Sequence, residues 1–446
     1  MDRIGPGNAD FIKNAASSGS APQAPLKEKG EKASSDPLDQ LDLTRLQGKE
    51  KIELIIESGD KASLDKIKKA IVEQNPQNKI KADLPLINAF SVELAPDSLG
   101  VLPELSKITG DVSVFLDGRI TIPDPIIEKP GEVGALMDVA TKTMNLDKVW
   151  ERGFTGKDVV ICVIDTGIAP HPDLKEKIIG FQDMVAGKTE AYDDQGHGTH
   201  CSGIAAGTGQ ASENGKFKGA APDAKLVGVK VLDGNGSGSF TDVIKGIQWA
   251  VENKDKYKIN VISMSLGGPV SQSAKKDPVA QAVEKAVEAG IITVVAAGNS
   301  GPGKETIGTP ANAEHVITVG ALDDKGTVER EDDGIAYFSS RGPTKYDKLV
   351  KPDIVTPGVK ITAADATSEG YVTMSGTSMA TPFAAGVMAL AVQAKPDITP
   401  EELKTLAMGS ADKLKDPKID ENTQGKGVLD PLEIINTLAP PESQPA

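Results

Sequence analysis

The chain has 446 residues, too many for one ordinary domain and enough for two or three. Hydrophobic residues make up 39% and aromatic ones only 4%, so any core is aliphatic, and 46 glycines point to many tight turns. A net charge of −15, from 64 acidic and 49 basic residues, argues against a nucleic-acid partner and against an anionic membrane surface.

Along the chain, residues 1–48 are rich in Ser, Ala, Pro, Gly and Lys without periodicity and are read as a disordered segment. Between 49 and 117 the patterns alternate. Lys51 to Glu57 reads as a strand and Ser63 to Glu73 as an amphipathic helix with Ser63 as its cap. Lys79 to Leu84 and Ala89 to Leu94 read as strands, the second with Phe90, Val92 and Leu94 facing inward. Pro96 to Ile108 looks helical, and Val112 to Leu116 is a strand. This β-α-β-β-α-β order is a ferredoxin-like plan. Residues 118–137 contain Pro123, Pro125 and Pro130 and read as an extended linker.

From 138 to 439 short aliphatic strands alternate with helices. The strands are Val159 to Ile164, Leu226 to Val231, Val261 to Met264, Ile291 to Ala296 and Val316 to Val319. Such unbroken runs suit parallel strands covered on both faces. His197 to Gly207, Thr241 to Asn253 and Pro278 to Ala289 fit helices between them, with Ser378 to Ala394 and Pro400 to Met408 completing the set. The expected fold is an open, mostly parallel α/β sheet flanked by helices on both faces, where sites gather at the carboxyl ends of strands. Residues 440–446 form a polar, Pro-rich tail.

Two cysteines, Cys162 and Cys201, lie in apolar surroundings and read as buried free thiols. No run approaches the ~18 apolar residues of a membrane helix. The N-terminus has no apolar signal core, so a cytoplasmic location is favoured, with secretion under a leader outside this numbering as the alternative.

Four places carry chemistry. Asp165 follows a strand in Asp165-Thr166-Gly167. His197 opens a helix in Gly196-His197-Gly198-Thr199-His200. Asn299 follows a strand in Ala296-Ala297-Gly298-Asn299. Ser378 sits at a helix start in Gly376-Thr377-Ser378-Met379-Ala380. Each has an ordinary reading by itself: turn former, structural histidine, helix cap. Asp-Thr-Gly also serves aspartic proteases, but a second copy is missing. His197 and His200 have zinc-like spacing, but the Glu of a His-Glu-x-x-His motif is absent. Together the four suit acyl transfer. Ser378 is the nucleophile and His197 the base. Asp165 orients the base, and the Asn299 amide with the Ser378 backbone N–H receives the oxyanion.

These motifs resemble those of the subtilisin-like serine proteases, the subtilase family, over roughly Met144 to Leu438. The order Asp, His, Ser is the one subtilisin uses. The resemblance implies a serine endopeptidase acting on protein or peptide substrates. It implies substrate-binding roles for Ser265, Leu266 and Gly267, for Gly238 and Phe240, and for Ala297, Gly298 and Gly308 lining a pocket for large apolar P1 side chains. Asp173 matches a family calcium ligand, but the loop Thr208 to Lys218 departs from the family's calcium-loop sequence. The acidic run Glu329 to Asp333 is another place that could hold calcium. Cys201 implies sensitivity to mercurials and no catalytic role. The 49–117 unit resembles the family's propeptide, an intramolecular chaperone and inhibitor, which makes the chain a self-processed zymogen. Cleavage is expected in 118–137, with Leu136 as the P1 residue. A monomer is expected, with neither a nucleic acid nor a membrane as partner. A catalytically silent relative and a His197/His200 metallohydrolase are the competing readings.

Overall fold

A computed structural model describes residues 51–122, 126–127 and 137–441, the pair 126–127 by backbone alone. The segment 1–48, the residues around Leu136 and the last five residues, all assigned above from sequence, lie outside the described residues.

The first unit is a four-stranded antiparallel sheet. Its strands are β1 (Ile52–Ser58), β2 (Lys79–Leu84), β3 (Ala89–Leu94) and β4 (Val112–Leu116), in spatial order β2-β3-β1-β4. The helices Lys61–Gln74 and Leu102–Thr109 cross it, which is the ferredoxin-like order. Leu54, Ile56, Phe90 and Val92 close one apolar core with Leu64, Ile67 and Ile71 of the first helix. That helix begins two residues earlier than its pattern suggests. Asp60, not Ser63, caps it, accepting from the Ser63 N–H at 2.9 Å. A carboxylate ahead of the first turn offers the stronger acceptor for the free N–H groups.

The opposite face of this small sheet is apolar too. Ile55, Leu84, Ile87 and Phe115 join a second core with Val227, Val243, Ile247 and Val283 of the large unit. The two units are therefore packed through a continuous hydrophobic seam rather than tethered.

Between them the expected linker is not free chain. Arg119–Thr121 forms β5, and Ile126–Ile127 forms β6. An extended chain carries unpaired N–H and C=O groups that need partners, and here neighbouring strands of the large unit supply them.

The large unit holds an eight-stranded sheet made of β7 (Val160–Asp165), β8 (Ile178–Asp183), β9 (Lys225–Lys230), β11 (Ile259–Met264), β12 (Ile292–Ala296), β13 (Ile317–Asp323), β14 (Gly334–Ile335) and β15 (Ile354–Pro357). The short β10 (Ser237–Ser239) stands outside it. Its order is β14-β13-β12-β11-β7-β9-β8, with β15 also on β13. Every pairing is parallel except β13 with β14. All six residues of β7 are buried, as expected of a strand covered on both faces. A hairpin, β16 (Ile361–Ala364) with β17 (Tyr371–Ser375), leads into the 18-residue helix Thr377–Ala394. This is the one helix among the described residues long and apolar enough to cross a membrane, and it is the central core helix, packed against β11, β12, β13 and β15.

The reversal of strand order falls at β7 and β11, the strands on either side of the sheet's middle. Ligands of open α/β sheets bind at the carboxyl ends of strands near such a point.

Candidate active site

Asp165 is the last residue of β7, and its carboxylate Oδ1 meets His197 Nδ1 at 2.8 Å with both side chains buried. The approach depends on two glycines. A side chain on Gly198 would run into the Gly167 carbonyl, and Gly167 itself has φ of 127° with the Tyr192 carbonyl against it. Thr166 ties the same turn, accepting from the Gly198 N–H at 2.9 Å.

His197 begins its helix, and Asp193 holds that helix end in place. The Asp193 carboxylate accepts from the Gly196 and Thr199 N–H groups at 2.8 and 2.9 Å and from the Thr166 and Thr199 hydroxyls at 2.9 and 2.7 Å. The signal in the sequence is an Asp just ahead of the helix His197–Ala206. Burial opposes charge on the His197 ring, yet the Asp165 carboxylate outweighs it and holds the pKa well above the ordinary 6.5. The Asp165 carboxylate thus favours imidazolium, the form that a base becomes in acyl transfer.

His200 does not share this role. Burial and the neighbouring His197 push its pKa down to about 4, and its Nε2 meets the Val372 carbonyl at 3.0 Å. Among the described residues the group placed to share a metal ion here is Asp165, His197 and Cys201, and His200 is not part of it.

Ser378 occupies the second helical position, buried, after Gly376. Its Oγ lies 3.4 Å from the Ser265 carbonyl, while His197 Nε2 has no hydrogen-bond partner among the described residues. Pro382 stands inside this helix and has no N–H for the Ser378 carbonyl four residues back. Two side chains take its place. Ser265 Oγ donates to that carbonyl at 2.9 Å and Cys201 Sγ at 3.4 Å. Cys201 is a fully buried free thiol whose pKa burial pushes up, so it acts here as a neutral donor.

Asn299 has its Oδ1 committed to Thr377, accepting from the backbone N–H at 3.0 Å and the hydroxyl at 2.9 Å. Its NH₂ is therefore the free end. A Cβ on Gly376 would lie 3.1 Å from Asn299 Nδ2 and 3.6 Å from the Ser378 N. Two donors thus converge on the space that the missing side chain leaves open.

A cavity of about 430 Å³ opens beside these donors, lined by Gly267, Gly268, Ala296, Ala297, Gly298 and Gly308 among others. Its two walls are pinned by the Gly268–Thr309 pair, with N–H to O distances of 2.9 and 3.0 Å. Leu266 is buried in the core and Ser265 turns to Ser378, so these two serve the cleft through backbone only. Glu305 and Lys345, which the motifs did not mark, stand at the cavity wall.

Gly238 and Phe240 lie on the far bank, and β5 fills the gap between the banks. β5 pairs antiparallel with β10, Thr121 opposite Ser237 and Ile120 opposite Gly238. On its other edge Thr121 exchanges hydrogen bonds with Gly267 at 3.0 and 2.9 Å, and the Ile122 N–H donates to Gly236 at 3.0 Å. Ile120, fully buried, faces Gly268 near Phe240.

Asp173 lies apart from this cleft. One carboxylate oxygen accepts from the Ala211 N–H at 3.0 Å and the Thr208 hydroxyl at 3.3 Å, and the other from the Tyr371 hydroxyl at 2.8 Å. Donors aimed at both oxygens are the wrong surroundings for a calcium ion, which needs acceptors. The residues at Asp173 do not fit the metal expected there.

The model of the subtilase family matches residues 156–427. The chain belongs to the subtilase family. It is 43% identical over 408 residues to serine protease AprX of Bacillus subtilis (strain 168), covering 86% of this chain and 88% of that protein. It is 37% identical to subtilisin DY of Bacillus licheniformis, covering 64% of this chain and 93% of that one. The fold is also that of fervidolysin from Fervidobacterium pennivorans, a keratinolytic enzyme related to subtilisin, with a TM-score of 0.67 at 23% identity. That match covers 86% of this chain, which spans 61% of the fervidolysin chain. This subtilase is thus a subtilisin-like serine peptidase with a buried Asp165–His197 pair at the carboxyl end of its central strand.

Proposed function

We propose that this subtilase is a self-inhibited serine endopeptidase in which Asp165, His197 and Ser378 form the triad and Asn299 with the Ser378 N–H forms the oxyanion hole. Ser378 Oγ attacks the scissile carbonyl and gives its proton to His197 Nε2, which passes it to the leaving amine. Asp165 steadies the imidazolium. The oxyanion forms where Asn299 Nδ2 and the Ser378 N converge beside Gly376. The cavity walls of Gly and Ala suit large apolar P1 side chains.

The observation that carries this reading is the seating of β5. A substrate bound as an added strand needs a partner on each edge, and Thr121 has Gly267 on one and Ser237 on the other. The 49–117 unit thus leads its own tail into the cleft and acts as inhibitor. Processing is proposed downstream of β5, after Leu136, because Val133-Gly134-Ala135-Leu136 offers apolar side chains at P4 and P1.

The test is labelling with a fluorophosphonate or sulfonyl fluoride after the first unit is removed. Label should sit on Ser378 and vanish in Ser378→Ala. Peptide libraries should show Phe, Tyr, Leu or Met at P1. A mature enzyme that neither labels nor cleaves would mark a silent relative, and a P1 profile dominated by Lys or Arg would refute the pocket assignment. A mature N-terminus upstream of Asp117 would overturn the division between inhibitor and enzyme.

A further inference from the structure

Away from the cleft, two buried carboxylates face each other at the end of the β13–β14 hairpin. β13 and β14 pair through Leu322–Ile335 and Asp323–Gly334, and Asp324 and Asp333 flank that last pair, near enough for the Asp333 charge to act on Asp324. Asp324 is 1% exposed, and the Asp333 side chain is 0% exposed. Asp324 Oδ1 accepts from the Gly326 N–H at 3.1 Å, and Asp333 Oδ2 accepts from Arg330 Nε at 3.4 Å. Asp324 Oδ2 and Asp333 Oδ1 are buried and have no hydrogen-bond partner among the described residues. Burial raises both pKa values to about 6, and each carboxylate is coupled to neighbouring acids, Asp324 to Asp333 directly. The Lys325 ammonium is turned to Asp323 instead, at 2.5 Å. Buried anionic oxygens without donors require a proton or a cation.

We propose that Asp324 Oδ2 and Asp333 Oδ1 are ligands of a calcium ion. Two hard carboxylate oxygens on an irregular hairpin suit the flexible, high coordination of calcium, with water completing the shell, better than the strict octahedron of magnesium. Exposed Glu329, Glu331 and Asp332 in the same loop add negative charge that draws a cation. The ion would brace the loop on which the helix Met137–Thr143 rests, where the Thr143 hydroxyl donates to the Thr327 carbonyl at 3.0 Å.

The test uses the full chain as Ser378→Ala, to prevent self-digestion, dialysed free of metal and then equilibrated with calcium chloride. Bound calcium is counted by equilibrium dialysis and stability by thermal melting. The expected result is calcium bound and a Tm rise of about 3 °C at a large excess over Kd. Asp324→Asn and Asp333→Asn should each lose one calcium and the Tm rise, while Glu331→Gln keeps both. The site is overturned if the parent chain binds no calcium, or if folded Asp324→Asn and Asp333→Asn keep its full count. A parent whose Tm responds to pH near 6 but not to calcium would show instead that the pair shares a proton. The parent measurement stands even if neither Asn variant folds.

Discussion

The Ser378 carbonyl is held by side chains from other elements. Pro382 takes the intrahelical partner from the Ser378 carbonyl, and Ser265 and Cys201 replace it. Asn299 Oδ1 fastens Thr377, and its amide nitrogen is the group proposed to receive the oxyanion. Asn299→Asp keeps the acceptor for Thr377 and replaces the donor with a repelling oxygen. We expect kcat to fall about 10²–10³-fold or more, the cost of losing this one donor in subtilisin itself, with KM little changed and the melting temperature preserved. A variant that retains near-parent kcat would remove Asn299 from the oxyanion hole. The four positions proposed as catalytic stand out in the sequence because each motif couples a reactive residue to the glycines that permit close approach. Asp193 was not, because a helix-capping carboxylate looks alike whether its helix carries a catalytic histidine or nothing.

Among the elements, the aliphatic strands β7, β9, β11 and β12 and the long helices were legible within about two residues, since buried runs and helical spacing are local properties, whereas β13 runs four residues beyond Val319, to Asp323. The edge strand β8 and the hairpin β16–β17 were not, because their partly exposed or small residues have no pattern distinguishable from loop. The start of β15 hides another feature that sequence could not show. Lys351, 2% exposed, pairs with Asp353 Oδ2 at 2.7 Å and donates to the Val316 carbonyl at 3.1 Å. Lys404 reaches the same carboxylate at 3.2 Å and the same carbonyl at 2.9 Å. Burial lowers the Lys351 pKa, so the cage holds its charge against a desolvation penalty. This ammonium joins the approach to β13 to the entry of β15. Lys351→Met removes the buried cation beside Asp353, leaving it Lys404 and the Thr318 N–H, and should cost up to about 3 kcal/mol in urea unfolding of a Ser378→Ala chain. Lys404→Met, whose side chain is 16% exposed, should cost clearly less. Equal losses, or none for Lys351→Met, would show that the cage does not hold the two strands together.

For the molecule as a whole, the linker was the part that sequence described least well. Prolines and the lack of periodicity mark an extended chain but cannot say whose strands it joins, because β5 is defined by partners more than a hundred residues away. The seam behind it also carries a pH response. Asp117 accepts from the Thr241 N–H at 3.0 Å and its hydroxyl at 2.7 Å, at the start of the helix Phe240–Glu252. Burial nevertheless raises its pKa from 3.8 to about 6. Glu57 is raised by burial as well, while accepting from Gln281 across the same seam at 3.2 Å. Once the units separate, both carboxyls return to water and toward their ordinary values. The docked state therefore binds protons more tightly than the separated one, so docking strengthens as pH falls through 6 and weakens as it rises. From Asp117 alone, the dissociation constant of a separate 49–122 segment for the Ser378→Ala catalytic unit should rise roughly tenfold between pH 5 and 8. Calorimetric titration across that range measures it. Asp117→Asn keeps an acceptor for Thr241 without the charge and should flatten most of the rise, whereas His197 titrates in both proteins and leaves the difference between them unchanged. An Asp117→Asn profile as steep as the parent's would place the pH response elsewhere in the seam.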